Sequence, residues 1–164
     1  MRPAYRHISL SILSGLFALG VVMFASADEK KSDAPPATKP ADVKKLTLGE
    51  FDKARQEKGV IVLDVRSATE FAHGHIAGAV SIPISGPGAD DFEKRVSAID
   101  RDKPILVHCL RGTRSAKAIE KMKSMGFTNL ADFAGGYSSW TQAGKPVEEG
   151  SRGGELPASD GSRK

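Results

Sequence analysis

The sequence predicts an α/β domain with a parallel sheet covered by helices on both faces. Three observations carry that prediction. Short runs that are apolar throughout, rather than alternating, alternate with segments of helical periodicity; such strands are buried on both faces. Turn residues separate the two kinds of segment, and a polar, Gly-containing loop directly follows the apolar run at 105–107, at the carboxyl end of a strand, where open α/β sheets place their sites.

The elements follow in order. Thr47 caps a helix through Leu48, Phe51 and Ala54, and Glu50 three residues on completes a capping box. Residues 60–64 (Val-Ile-Val-Leu-Asp) form a strand, 68–72 a short helical turn, and 79–82 a second short strand ending at Pro83. Phe92, Val96 and Ile99 lie at helical spacing within 90–99. Pro104 opens a strand over 105–107, and residues 115–125 place Ala118, Ile119, Met122 and Met125 on one helical face, stopped by Gly126. Leu130 and Phe133 mark a last short strand, and Gly135-Gly136 precedes a helix over 137–143.

The most informative residue is Cys109, the one cysteine in the chain. It ends the apolar run at 105–107 and opens the loop Cys109-Leu110-Arg111-Gly112-Thr113-Arg114, ahead of a helix. Loop N–H groups, the positive end of a helix macrodipole and two guanidinium groups all favour the thiolate, the form that does chemistry. Gly112 permits backbone angles that let successive N–H groups of Leu110, Gly112 and Thr113 converge on an anion. Arg111 and Arg114 supply bidentate recognition of an oxyanion such as a thiosulfonate, sulfate or phosphate. His108 is excluded as a general base for its neighbour, because adjacent strand residues point to opposite faces.

A second dense cluster contains Asp64, Arg66, Glu70, His73 and His75. The expected role is structural, with Asp64, Arg66, Glu70 and His75 satisfying one another, since buried charges persist when paired. His73, His75 and His108 come with no cysteine or carboxylate at ligand spacing, so no metal is expected.

The flanks differ in character from this core of about 105 residues, which is enough for one domain. Arg2, Arg6 and His7 form a basic start, residues 8–24 are almost wholly apolar or small, and Ala25-Ser26-Ala27 is a small-x-small cleavage site. That order predicts a secretory signal peptide over 1–27 and a periplasmic or secreted protein without stable membrane association after cleavage. Residues 28–43, with Pro35, Pro36 and Pro40, read as a disordered linker, and 148–164, rich in Gly, Ser and charge, as a disordered tail. Removing 1–27 takes Arg2 and Arg6 and lowers the net charge from +4 to +2. No basic run interleaved with aromatics remains, which argues against a nucleic-acid partner. One cysteine allows no internal disulfide, and an unpaired thiol in an oxidising compartment points to use.

Three stretches together resemble the rhodanese homology domain. Residues 64–83, from Asp64-Val65-Arg66 through Glu70-Phe71-Ala72-His73-Gly74-His75-Ile76 to Ile82-Pro83, resemble the family's amino-terminal motif nearly throughout, with Ser81 where asparagine is common. Gly135-Gly136-Tyr137-Ser138-Ser139-Trp140 resembles its carboxy-terminal motif, and Cys109 to Arg114 its active loop. The resemblance covers about residues 44–147. It implies a three-layer α/β/α domain with a central parallel five-stranded sheet. It also implies a sulfurtransferase that works through a Cys109 persulfide without a cofactor, taking sulfur from a donor such as thiosulfate and passing it to cyanide or a thiol. Arg111 matches the loop position where the family commonly carries a basic substrate-binding residue, and Arg114 closes the loop. Phosphatases and arsenate reductases share the fold but place five residues between cysteine and arginine; here Leu110 to Thr113 are four. Catalytically silent rhodanese-like binding modules usually lack the cysteine.

The leader makes the first testable expectation: exported protein begins at or near Asp28. Mass determination of the protein from the extracytoplasmic fraction of its host checks this, and an intact Met1–Lys164 chain in the membrane fraction would contradict it.

Overall fold

The computed structural model describes residues 43–152 together with Gly154 and Leu156. The proposed leader, most of the linker and the end of the tail lie outside the described residues. Among the described residues, seven strands and five helices follow in the order β1 (Lys44–Lys45), α1 (Leu48–Ala54), β2 (Ile61–Asp64), α2 (Ala68–Ala72), β3 (His75–Ile76), β4 (Val80–Ser81), α3 (Phe92–Val96), β5 (Ile105–His108), α4 (Thr113–Ser124), β6 (Leu130–Phe133), α5 (Gly136–Gln142) and β7 (Val147–Glu148).

Five strands form one sheet in the order β1-β6-β5-β2-β4, every neighbour parallel. The two central strands, β5 and β2, are buried at every position, which is why their sequences read as continuous apolar runs. Period-2 alternation sends their side chains to two separate cores. Ile61, Leu63, Ile105 and Val107 pack against Phe92 and Val96 of α3 and Ala118, Ile119 and Met122 of α4. Val62 and Leu106 face the other way, onto Phe51 of α1, Phe71 of α2 and Trp140 of α5. The result is three layers, with α3 and α4 on one face and α1, α2 and α5 on the other.

Local signals place the short helices. Thr47 and Glu50 form the expected capping box on α1. Ser67 and Glu70 form a second on α2, from the same S/T-x-x-E spacing that the sequence reading passed over. The helix expected over 90–99 is shorter, Phe92–Val96, although Ile99 stays buried. Three strands were not anticipated. β1 is a pair of exposed lysines that is a strand only because β6 lies beside it. β3 and β7 pair antiparallel as a separate two-stranded ribbon, His75 opposite Glu148. The segment read as an unstructured tail from Glu148 therefore begins with defined contacts: Gly150 N–H donates to the Ala72 carbonyl and Gly154 N–H to that of Ala79, while Leu156 packs on the α3/α4 core.

At the end of β2, Asp64 is fully buried and holds the buried Arg66, whose Nε and Nη2 donate to its carboxylate at 2.9 and 2.6 Å. Nη2 also donates to the Gly74 carbonyl, and the guanidinium lies 3.9 Å over the Tyr137 ring. This ties β2, the α2–β3 turn and α5 together. Asp64→Ala leaves the Arg66 cation buried without its counter-charge, so it should cost about 3–5 kcal/mol. The check is a lower urea midpoint at unchanged slope; a loss under about 1 kcal/mol contradicts the role assigned to the pair.

Candidate functional site: the Cys109 loop

The end of β5 separates two neighbours. His108 points with Leu106 toward α1, where it meets Phe51 edge-on and lies 3.8 Å from Asp64 Oδ2. Burial pushes its pKa down, against the pull of Asp64, which keeps the imidazole neutral. Cys109 points the other way, into the α3/α4 core, and is 1 % exposed. The expectation that His108 cannot serve its neighbour follows from this alternation.

The chain then turns back within three residues. Gly112 has φ +93°, in the left-handed region, and a Cβ there would press against the Ala134 carbonyl oxygen at 2.8 Å. Gly112 is the N-cap of α4, so the helix starts at Thr113, two residues sooner than its periodicity indicated. The turn brings the Gly112 N–H to 3.1 Å from Cys109 Sγ. Beyond it, Ser115 Oγ lies 3.9 Å from Sγ, 2.9 Å from the Gly112 carbonyl oxygen and 2.7 Å from Asp132 Oδ1.

The loop is fixed from outside by backbone. Tyr137 N–H donates to the Cys109 carbonyl at 2.8 Å and Ser138 N–H to that of Leu110 at 3.1 Å. This approach is possible because Gly136, at φ +58°, carries no Cβ; one would collide with both carbonyl oxygens. The Gly135-Gly136 pair thus does more than make a turn ahead of buried Trp140: it clamps the cysteine loop onto α5.

The structure separates the two arginines. Arg111 is exposed, and none of the ion pairs among the described residues uses it. Arg114, in the first turn of α4, spends its fork on Glu70: Nη1 donates to Oε2 at 2.5 Å and Nη2 to Oε1 at 2.8 Å. Arg114, then the backbone N–H and hydroxyl of Ser67, hold the Glu70 carboxyl at about 2. The four residues of the second cluster accordingly do not form one network. Asp64 and Arg66 pair with each other, Glu70 pairs with Arg114, and His75 stacks on Phe71 with ring centroids 3.7 Å apart and Nδ1 at 3.0 Å from the Phe71 carbonyl. Thr113 is exposed and Leu110 half-buried.

Ser115 and Asp132 are the site-adjacent residues that the sequence reading missed. A signal existed for both: Ser115 stands in the apolar stripe of α4 with Ala118, Ile119 and Met122, and Asp132 interrupts an otherwise apolar strand. A cleft of about 320 Å³ lies between β4, α3 and the C-terminal segment, lined by Val80, Ser81, Pro83, Arg95 and Ser151 among others. Cys109 is not part of its lining, so the chemistry is assigned from the donors around sulfur and not from concavity.

The comparisons with known proteins agree with this fold. The profile of the Rhodanese-like domain matches residues 47–143. Thiosulfate sulfurtransferase 16, chloroplastic, of Arabidopsis thaliana is 39 % identical over 93 residues, covering 52 % of this chain and 78 % of that protein. Thiosulfate sulfurtransferase GlpE of Pseudomonas fluorescens is 33 % identical over 91 residues, covering 56 % and 79 %. Among solved structures, a rhodanese-related protein from Thermoplasma volcanium superposes with a TM-score of 0.55 at 32 % identity, over 64 % of this chain and 97 % of that one.

The Glu70–Arg114 pair generates a pH prediction. The folded-state value of about 2 lies below the ordinary 4.5, so the pair's stabilisation is full above pH 4.5 and is lost as pH falls through about 2. In denaturant titrations at stepped pH, the stability advantage of wild type over Glu70→Gln should shrink across that interval and vanish below it. An advantage that is constant with pH would contradict the assignment.

Proposed function

The chain belongs to the rhodanese-like family, and from that membership together with the loop geometry we propose that it is a sulfurtransferase that carries sulfane sulfur on Cys109. The observation that carries the reading is the Gly112 N–H aimed at the sulfur of the chain's one cysteine, in a loop held shut by backbone bonds to α5. Relatives named thiosulfate sulfurtransferase support it.

In the first half-reaction the Cys109 thiolate attacks the outer sulfur of a donor of the thiosulfate class. A new sulfur–sulfur bond of about 2.05 Å forms, the donor's own bond breaks, and sulfite leaves with the electron pair. The donated sulfur lengthens the reach of a thiol that is itself almost fully covered. Its negative charge is stabilised by the Gly112 N–H, which is already oriented toward Sγ and needs no reorganisation. Exposed Arg111 binds the anionic donor as it enters. In the second half-reaction cyanide or a thiolate attacks the outer sulfur, and Cys109 leaves as the thiolate.

The phosphatase reading of the same fold needs a guanidinium closing over a tetrahedral oxyanion. Arg114 is engaged bidentately by Glu70 and is not available for that role. The basic start, apolar stretch and Ala25-Ser26-Ala27 support a leader over 1–27, and on that reading we propose that the reaction takes place outside the cytoplasm.

The experiment is a thiosulfate:cyanide assay on wild type and Cys109→Ser, with mass spectrometry of the protein after thiosulfate alone. Wild type should turn over and gain the mass of one sulfur atom on Cys109, and Cys109→Ser should do neither while keeping its circular dichroism spectrum. Turnover by Cys109→Ser above the uncatalysed rate, or Cys109-dependent hydrolysis of aryl phosphates without sulfur transfer, would overturn the reading.

A further inference from the structure

Behind the Cys109 loop, three acceptors surround one hydroxyl. Ser115 Oγ is 2.7 Å from Asp132 Oδ1, 2.9 Å from the Gly112 carbonyl oxygen and 3.9 Å from Cys109 Sγ. A serine hydroxyl has one proton to give. The shortest contact, to a carboxylate, takes that proton when Asp132 is ionised, because an ionised carboxylate accepts only. The sulfur then receives nothing from Ser115. When Asp132 is protonated, the direction reverses: the carboxyl O–H donates to Ser115 Oγ, and the serine proton is released toward Sγ or the Gly112 carbonyl.

We propose that Asp132 is a positioning residue for the Cys109 chemistry, acting through Ser115 to decide whether that hydroxyl donates to the sulfur or is withheld from it. The proposal rests on the reading of Cys109 as the nucleophile, and it adds a residue that touches neither donor nor acceptor.

The surroundings suit a carboxyl that changes state. Asp132 is 5 % exposed, in mid-strand β6, on the same sheet face as Val107 of β5 and Cys109. Three groups face it: Ser115 from α4, Lys45 across β1 in direct register, and, one hydroxyl further, Cys109 from the end of β5. Burial pushes its pKa up, while the Ser115 hydrogen bond and the exposed Lys45 oppose that rise. His108 also comes from β5 but points to the opposite face, and Arg114 is held by Glu70.

The test is alkylation of Cys109 by iodoacetamide across the acid-to-neutral range, in wild type, Asp132→Asn, Ser115→Ala and the double variant. The asparagine amide donates to Ser115 Oγ at every pH, so the hydroxyl proton is released toward Sγ or the Gly112 carbonyl at every pH. A hydrogen bond that raises the thiolate population tenfold also lowers its intrinsic nucleophilicity about threefold, leaving a net gain of about threefold in rate. Asp132→Asn should therefore alkylate about threefold faster than wild type near neutral pH, with the ratio falling toward one as wild-type Asp132 protonates. That ratio should collapse to near one in the Ser115→Ala background. Ser115→Ala alone, readable even if Asp132→Asn fails to fold, should slow alkylation most at the acid end. An Asp132→Asn gain of equal size with and without Ser115 would mean that the carboxylate acts only as a nearby charge, and would overturn the proposal. So would a ratio independent of pH, or a Ser115→Ala loss that is the same at every pH. Alkylation reads the sulfur directly, so these outcomes are separate from failure of the sulfurtransferase reading, which the Cys109→Ser assay reports.

Discussion

Two backbone hydrogen bonds, from Tyr137 and Ser138 to the carbonyls of Cys109 and Leu110, fix the geometry on which the rest of the site depends. They join the end of β5 to the start of α5, elements separated by the whole of α4 and β6. A side chain at Gly136 would meet both carbonyl oxygens, so the clamp needs a residue without Cβ in the left-handed region. With the carbonyls of Cys109 and Leu110 held by α5, the Gly112 N–H reaches the sulfur at 3.1 Å. A backbone donor held in this way costs little reorganisation when charge develops on the sulfur, because it is oriented beforehand.

The parallel sheet supplies the second constraint. Alternation along β5 gives consecutive residues to different chemical worlds. His108 lies beside the buried Asp64–Arg66 pair beneath α1, α2 and α5, and Cys109 joins the apolar side beneath α3 and α4. The charges of the first world are used for architecture. Arg66 reaches the Gly74 carbonyl and the Tyr137 ring, so it braces the same helix that clamps the loop. Structural ions and the cysteine sulfur are thereby kept on opposite faces of one strand.

The charges near the loop are likewise divided by task. Arg114 belongs to a carboxylate that also caps α2, which pins the first turn of α4 to the neighbouring helix. Arg111 is left exposed. Behind the loop, Ser115 and Asp132 add a short polar chain running from the sulfur toward the sheet edge at β1.

The sequence by itself determined the α/β class, the two central strands, the first capping box and the position of the thiol at a strand end. Each rests on signals within a few residues: continuous apolar runs, S/T-x-x-E spacing, and glycine beside a cysteine. Only the tertiary structure decided which arginine is spoken for, because Glu70 and Arg114 are 44 positions apart and nothing local pairs them. The same holds for β1, β3 and β7, two-residue strands whose partners alone make them strands. Ser115 and Asp132 were visible as polar interruptions of apolar patterns, but their meeting beside Cys109 comes from the packing of α4 onto β6. Propensity and periodicity report what a segment becomes; long-range hydrogen bonds and ion pairs are settled only when the layers close.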